Sequence, residues 1–512
     1  MPRRPKARDG LTAGERVARY EVEQLEKQKR MREESTNEVD DGAVAQSAIV
    51  EMKNTVKAEK KTLPKPQSAT VRVDFSVPVG SVKPMHGMCN GPVSYGADIS
   101  EVFCGIGVPF VRFDVTDTAM SAYAVDVSRI FKRYDADPSD PSSYDFSVTD
   151  RYFEAARLSG AEIILRLGES VDLFGGNEVA QIPDTETLSR VCVNVIRHYN
   201  DRWAGGYSLG ISRVELWNSQ GEKSAEEDFE VYRKLSVAVK LYDDSIKVGG
   251  MSFSGFGDRA KDFLRYCRRT RTPLDFVTVD CMGNSPETVV DEARGYSLQL
   301  KKSGFADAEI IIGKWCYVDS EVAAGKKLEA ILSGRGEELG QIKRQIFEEQ
   351  RGVRGAAYAA AFMIALGDVD GVNLACFFDA QPMVSPFCAI TDRFGAPEKP
   401  FYAFKAFGEL YRAGTATLCT VDEVEGFAHP GVYSMAARSA SGECFVLISS
   451  FDGVGTIDLR IDGISDELYT ADLYMLDGVK NMELCDTVQL SGMKKRMVLN
   501  LSRYGALMIR FY

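Results

Sequence analysis

Long apolar runs are what this sequence lacks most plainly. No stretch approaches the ~20 consecutive apolar residues that a helical membrane span requires. The opening Pro2-Arg3-Arg4-Pro5-Lys6 leads into charged residues and not into an apolar core, so an ordinary secretory signal is not expected and a cytoplasmic location is. Histidine is scarce, with only His86, His198 and His429. The eleven cysteines are scattered with no C-x-x-C pair. Paired ligand spacing for zinc is therefore missing, and an odd set of thiols without a framework reads as reduced and mostly buried. Glycine-rich phosphate cradles are missing too. Gly105-Ile106-Gly107 has no third glycine, and Ala324-Gly325-Lys326-Lys327 has neither the upstream glycine nor the Ser/Thr of a P-loop. No metal and no cofactor is expected. Nor is positive charge in excess: the net charge is −12, which argues against nucleic acid as a partner. A membrane partner is not expected either.

What remains is an ordinary soluble composition, 45% hydrophobic and 27% charged, in a chain of 512 residues long enough for more than one folded unit. Residues 1–67 stand apart, rich in Lys, Arg and Glu and poor in aromatics. Thr12 and Glu15 have capping-box spacing, and Ala13 to Glu34 reads as one charged helix with a thin apolar stripe of Val17, Tyr20, Val22 and Leu25. Two readings stand for this extension. One is a solvated helix followed by a disordered linker through Leu63-Pro64-Lys65-Pro66. The other is a docking or coiled-coil arm.

From residue 70 the pattern changes. Val71 to Val77 alternates like a strand, and then apolar runs and amphipathic stretches take turns. The strand candidates are Met85–Cys89, Phe110–Asp114, Glu162–Leu167, Arg213–Trp217, Ile246–Met251, Asp275–Asp280, Glu309–Lys314 and Val372–Phe378. Helical stretches between them include Thr149–Leu158, Thr187–Tyr199, Glu226–Tyr242, Lys261–Arg269 and Leu339–Leu366. Eight apolar strands, each followed by a helix, are the signature of a parallel barrel. After Leu410 short alternating strands with Gly and Asp turns take over, such as Cys444–Ile448, Thr456–Ile461 and Ala506–Phe511. The expected fold is α/β: a (β/α)8 TIM barrel over 68–410, a C-terminal β-sandwich over 411–512, and a helical or disordered N-terminal extension over 1–67.

Several segments carry a family likeness in order and with compatible spacing. They are Asn90-Gly91-Pro92-Val93; Val125-Asp126-Val127-Ser128-Arg129-Ile130-Phe131; Asp135-Ala136-Asp137-Pro138; Tyr144-Asp145-Phe146 with Thr149-Asp150; Ile196-Arg197-His198-Tyr199 with Trp203-Ala204-Gly205-Gly206; Val214-Glu215-Leu216-Trp217-Asn218; Asp379-Ala380-Gln381-Pro382; and Lys399-Pro400-Phe401. On these the chain resembles bacterial β-xylosidases of glycoside hydrolase family 39. The resemblance implies a retaining glycosidase barrel of clan A. That chemistry needs two carboxyl groups about 5–5.5 Å apart, one to protonate the leaving oxygen and one to attack the anomeric carbon.

The resemblance implies the acid directly after Asn218 and the nucleophile directly before Trp315. Those positions hold Ser219 and Lys314. A serine hydroxyl is a poor proton donor to a leaving sugar. A lysine ammonium has no lone pair to attack with, and it places positive charge where an oxocarbenium-like centre would form. The acid–base part alone is worth ~10²–10⁴-fold in rate. Two histidine positions implied by the resemblance hold Asp114 and Asp280, a tyrosine position holds Met282, and an asparagine position holds Cys316. Arg112, Trp217, Asn218, Trp315, Tyr317 and Asp379 remain as the resemblance implies.

A lysine in a dry barrel mouth needs a counter-charge, and the resemblance implies neighbouring inward positions for Asp114 and Asp280, so Lys314 is expected against one or both; the other reading leaves it at the solvent rim. Trp217, Trp315, Tyr317 and Phe378 read either as a sugar-stacking floor or as filling of the barrel mouth. The functional expectation is a catalytically degenerate glycosidase-fold protein that binds a saccharide or another protein, or serves as a structural module. A working glycosidase would have to use relocated carboxylates, for which Glu169 and Glu222 are the candidates. A third chemistry, Schiff-base lyase action through Lys314, rests on that lysine alone.

Overall fold

The computed structural model describes residues 68–94, 97–113, 126–131, 133, 135–168, 184–216, 224–253, 255–318, 348–381, 387–392, 394–422, 431–453, 455–464, 469–490 and 495–512. The N-terminal extension lies outside them. The first strand, β1 (Ser68–Ser81), buries Val71, Val73 and Phe75 on one face and exposes the other at its far end.

Eight strands then close a parallel barrel: β2 (Gly87–Cys89), β5 (Phe110–Arg112), β6 (Glu162–Leu167), β7 (Arg213–Leu216), β8 (Lys247–Phe253), β9 (Phe276–Gly283), β10 (Glu309–Tyr317) and β11 (Val372–Phe377). A small antiparallel pair, β3 (Val93–Ser94) and β4 (Ala97–Asp98), sits just past β2. The neighbour order runs β2-β5-β6-β7-β8-β9-β10-β11 and returns to β2. Every residue of β9 is buried, and all of β10 after Glu309, because barrel strands are covered by side chains within and by helices without.

The described helices of the barrel segment are α1 (Ser100–Ile106), α2 (Val127–Ile130), α3 (Ser147–Leu158), α4 (Thr185–Asn200), α5 (Ala225–Tyr242), α6 (Asp258–Thr270), α7 (Pro286–Ser303), α8 (Val353–Gly367) and α9 (Lys399–Ala413). Their starts follow local chemistry. The Asp184 carboxylate accepts from the Thr187 backbone N–H at 2.7 Å. Ser224 and Glu227 form a reciprocal capping box on α5. Ser285 caps α7, which opens on Pro286 and ends at Gly304 in the left-handed region. The helix expected over Leu339–Leu366 is described only from residue 348; Gly352 precedes α8 proper, and 339–347 lie outside the described residues.

The C-terminal strands are β12 (Thr415–Val421), β13 (Val432–Arg438), β14 (Cys444–Phe451), β15 (Thr456–Asp462), β16 (Tyr469–Leu476), β17 (Asn481–Leu490), β18 (Arg496–Asn500) and β19 (Tyr504–Phe511). Together with β1 they form one nine-stranded sheet, in the order β17-β16-β19-β14-β13-β12-β1-β15-β18. The sheet curls over its own core. Phe75 of β1 meets Phe511 of β19 with ring centroids 5.7 Å apart, although three strands separate them in the hydrogen-bonded order. The sandwich-like packing therefore belongs to one continuous sheet.

One boundary differs from expectation. Strand β1, placed by the sequence reading inside the barrel segment 68–410, pairs antiparallel with β12 and parallel with β15. Its alternating pattern is the mark of a half-buried strand, whereas barrel strands read as continuous apolar runs.

Barrel and sheet share one apolar core: Tyr433, Met435, Phe445, Leu447 and Phe451 cluster with the residues of β10, α8 and α9. Tyr433 Oη donates to the Glu287 carboxylate at the start of α7.

Candidate functional site

In a parallel barrel the chemistry collects at the carboxyl ends of the strands. Six sequence candidates fall among the described residues: Arg112, Asp280, Lys314, Trp315, Tyr317 and Asp379; Glu215, two residues before Trp217, was not among the candidates and joins them here. Asp114, Glu169, Trp217, Asn218, Ser219 and Glu222 lie outside the described residues.

The deepest layer is ionic. Arg112 on β5 reaches across to Glu215 on β7 in a bidentate pair, Nε to Oε2 at 2.7 Å and Nη2 to Oε1 at 2.8 Å. Arg166 on β6 lies 3.4 Å from the same carboxylate, and Thr278 Oγ1 on β9 donates to it at 3.1 Å. All are buried. Burial alone would raise the Glu215 pKa. Arg112, through charge and hydrogen bonds, then Arg166 and Thr278, outweigh it and hold the group at about 2. The sequence reading kept Arg112 but missed Arg166. Its signal was an arginine inside the apolar strand Glu162–Leu167, a place that only a paired, inward-facing charge tolerates.

One layer nearer the mouth lies Lys314. Opposite β10, Ile312 pairs with Val279 but Lys314 pairs with Asp280, so the register slips by one residue at Gly313. The slip sets Lys314 beside Asp280. Without it Lys314 would stand opposite Cys281, one residue on and hence on the other face of β9. Glycine is required at 313 because the interior crowds it. A Cβ there would lie 2.3 Å from Thr278 Cγ2, 3.1 Å from Asp280 Oδ1 and 3.3 Å from Arg112 Cζ. The Gly313 carbonyl accepts from Cys89 Sγ at 2.8 Å and from Arg112 Nη1 at 3.4 Å.

Lys314 Nζ stands 3.6 Å from Asp280 Oδ2, and the two side chains are 5% and 4% exposed. The ammonium also lies 5.5 Å from the centre of the Phe378 ring, within cation–π range. Of the two carboxylates expected near this lysine, Asp280 is the described one. The solvent-rim alternative does not hold. Asp379, directly after Phe378, is buried and accepts from Gln381 Nε2 at 3.0 Å. Among the described residues no group of three His, Cys, Asp or Glu converges as a metal site.

The aromatic candidates divide. Phe378 faces Lys314 and packs against Phe387 at 5.5 Å. Trp315 and Tyr317 do not line the mouth. Trp315 stacks on Phe362 of α8 at 4.2 Å and on Phe404 of α9 at 5.7 Å. Tyr317 meets Tyr358 of α8 at 5.2 Å and Phe451 of the C-terminal sheet at 6.1 Å. They alternate with Lys314 along the strand and so take its outer face, where large aromatics fill the strand–helix layer. Their inclusion as pocket residues is corrected accordingly.

The segments of the loop after the second barrel strand also form scaffold. His198 Nε2 lies 3.0 Å from Asp150 Oδ1, its Nδ1 lies 2.9 Å from the Trp203 carbonyl, and its ring stacks on Phe146 at 3.6 Å.

With this geometry in view, comparison with known proteins places the fold. No protein-family model matches the chain. A β-xylosidase of Geobacillus stearothermophilus is 25% identical over 171 residues, which cover 29% of this chain and 32% of that relative. The matched part therefore spans about a third of the relative's length. Among solved structures, a glucosidase from Croceicoccus marinus is similar with a TM-score of 0.69 at 22% identity, covering 88% of this chain and 99% of the other. A family 39 enzyme from Xanthomonas axonopodis pv. citri is similar with a TM-score of 0.59 at 13% identity, covering 89% and 99%. The chain thus has a glycoside hydrolase-like barrel fold with an attached curled β-sheet.

Proposed function

We propose that this chain is a glycosidase-fold protein of the family 39 type whose hydrolytic pair has been replaced, and that it works by binding, not by hydrolysis. The observation that carries the reading is the buried Lys314–Asp280 ion pair. It stands on β10 at the position where the sequence resemblance implies a nucleophilic carboxylate. An ammonium held there neither attacks an anomeric carbon nor favours an oxocarbenium-like centre. The occupant of the mouth is a saccharide or a segment of another protein, met by Phe378 and by the polar groups around Lys314.

The same pair speaks against lyase chemistry. Schiff-base formation needs an amine open to a carbonyl carbon, and the Lys314 amine is engaged by Asp280 at 3.6 Å in a buried pair.

The test is turnover of nitrophenyl β-xyloside and related nitrophenyl glycosides by the wild type, Ser219→Glu, Lys314→Glu and the double variant. The expected result is no enzyme-like rate in the wild type and both single variants, with measurable release only when both carboxylates are restored. Enzyme-like turnover by the wild type would overturn the proposal and would direct attention to Glu169 and Glu222 as relocated carboxylates.

A further inference from the structure

Behind the strand that carries Lys314 lies a small cavity of about 10 Å³, lined by Trp315, Gln350, Gly355, Tyr358 and Phe377 among others. That is roughly the room that one water centre occupies. Three of its lining side chains each keep a polar atom with no partner among the described residues: Trp315 Nε1, Gln350 Oε1 and Tyr358 Oη. All three residues are buried. The orientation of the Gln350 amide is fixed, because its Nε2 donates to the Tyr317 carbonyl at 2.8 Å and leaves Oε1 as the free acceptor.

We propose that this cavity is a binding site for a single structural water, held by Trp315 Nε1, Gln350 Oε1 and Tyr358 Oη. The donor and acceptor count closes. The indole N–H donates to the water oxygen. The water donates one proton to Gln350 Oε1. The Tyr358 hydroxyl either donates to the second lone pair or accepts the second proton. Three bonds is the usual number for a buried water, and buried polar groups are rarely left without a partner. No larger ligand fits the volume. The packing explains why side chains do not close the gap. Trp315 is pinned by Phe362 and Phe404, and Tyr358 by Tyr317 and Phe451. Gly355 lies so near the Gln350 backbone that a Cβ there would stand 1.9 Å from its carbonyl oxygen. The water therefore bridges β10 to α8 and to the helical residues 348–351 before it, directly behind Lys314.

The test is a crystal structure of the full chain at a resolution that reveals ordered water. One peak is expected within about 2.7–3.2 Å of all three atoms. A dry cavity, or Trp315 Nε1 bonded straight to a protein acceptor, would overturn the proposal. A solution arm uses isotope-labelled protein. The chain has three tryptophans, so the Trp315 indole N–H is identified by elimination with Trp203→Phe and Trp217→Phe. In Tyr358→Phe the water loses one partner, and the Trp315 indole proton is expected to exchange several-fold faster with a shifted resonance. An indole signal unchanged in both respects counts against a shared water.

Discussion

Lys314 and Asp280 are register partners on adjacent barrel strands, with Nζ and Oδ2 3.6 Å apart in an almost fully buried setting. Such a pair draws its value from completeness. Two charges in a poorly polarisable interior offset part of each other's desolvation, and deleting one removes that compensation from the other. Lys314→Met should therefore destabilise the chain by about 3–5 kcal/mol, and Asp280→Leu similarly. The double variant Lys314→Met/Asp280→Leu should fall well short of the sum. Urea unfolding of the four proteins measures this coupling. Additive losses would mean that the two groups do not sense each other.

The one-residue slip at Gly313 creates that pairing, and the site tolerates no added carbon. Gly313→Ala would press a methyl against Thr278 Cγ2, with Asp280 Oδ1 and Arg112 Cζ just behind. Overpacking of this kind costs about 1–3 kcal/mol. Thr278→Ser removes the nearest atom yet keeps the hydroxyl that donates to Glu215. The pair Gly313→Ala/Thr278→Ser should thus recover part of the loss, read as the shift in thermal midpoint. No recovery would show that the crowding lies with Arg112 instead.

Glu215 makes the barrel's stability depend on acid. Its carboxyl is held at about 2, below the ordinary value of 4.5, because Arg112 and Arg166 overcome the effect of burial. A depressed folded value means that the contribution is present above the unfolded value and fades as pH falls from about 4.5 toward about 2. The difference corresponds to an order of 3 kcal/mol. Glu215→Gln should flatten that acid limb of a stability–pH curve. It should also lower stability at neutral pH, where two buried arginines lose their counter-charge. Equal acid limbs in wild type and variant would assign the pH dependence to other carboxylates.

The barrel was legible in the sequence because strands buried on both faces leave continuous apolar runs. Glu162–Leu167 matches its strand end to end, and the others differ by a few residues at their ends. The alternation of β1 was legible too, but its partners were not: Val71 pairs with Val421 and with Leu459, hundreds of residues away. Local pattern carries no information about such distant pairing. At the site, a lysine in an apolar strand signalled a buried charge, and the resemblance, not the strand pattern, offered Asp114 and Asp280 as its partners. The outward turn of Trp315 and Tyr317 was harder to read. Alternation shows that two residues share a face, but the covering aromatics of α8, α9 and the C-terminal sheet decide which face wants them.

The ion pair also bears on the variants that place carboxylates at positions 219 and 314. Lys314→Glu does more than supply a carboxylate. It removes the cation opposite Asp280 and sets two acids at neighbouring positions in a buried layer. Like charges at such range raise the pKa of one partner, so part of the new carboxylate would be protonated near neutral pH and useless as a nucleophile. Ser219→Glu/Lys314→Glu is therefore expected to release nitrophenol slowly, with a rate that climbs toward alkaline pH until the general acid deprotonates. Adding Asp280→Asn removes the competing charge. The triple variant should be faster at neutral pH, and the rising limb of its pH–rate profile should move to lower pH. A profile that stays in place after Asp280→Asn would mean that Asp280 does not control ionisation at position 314.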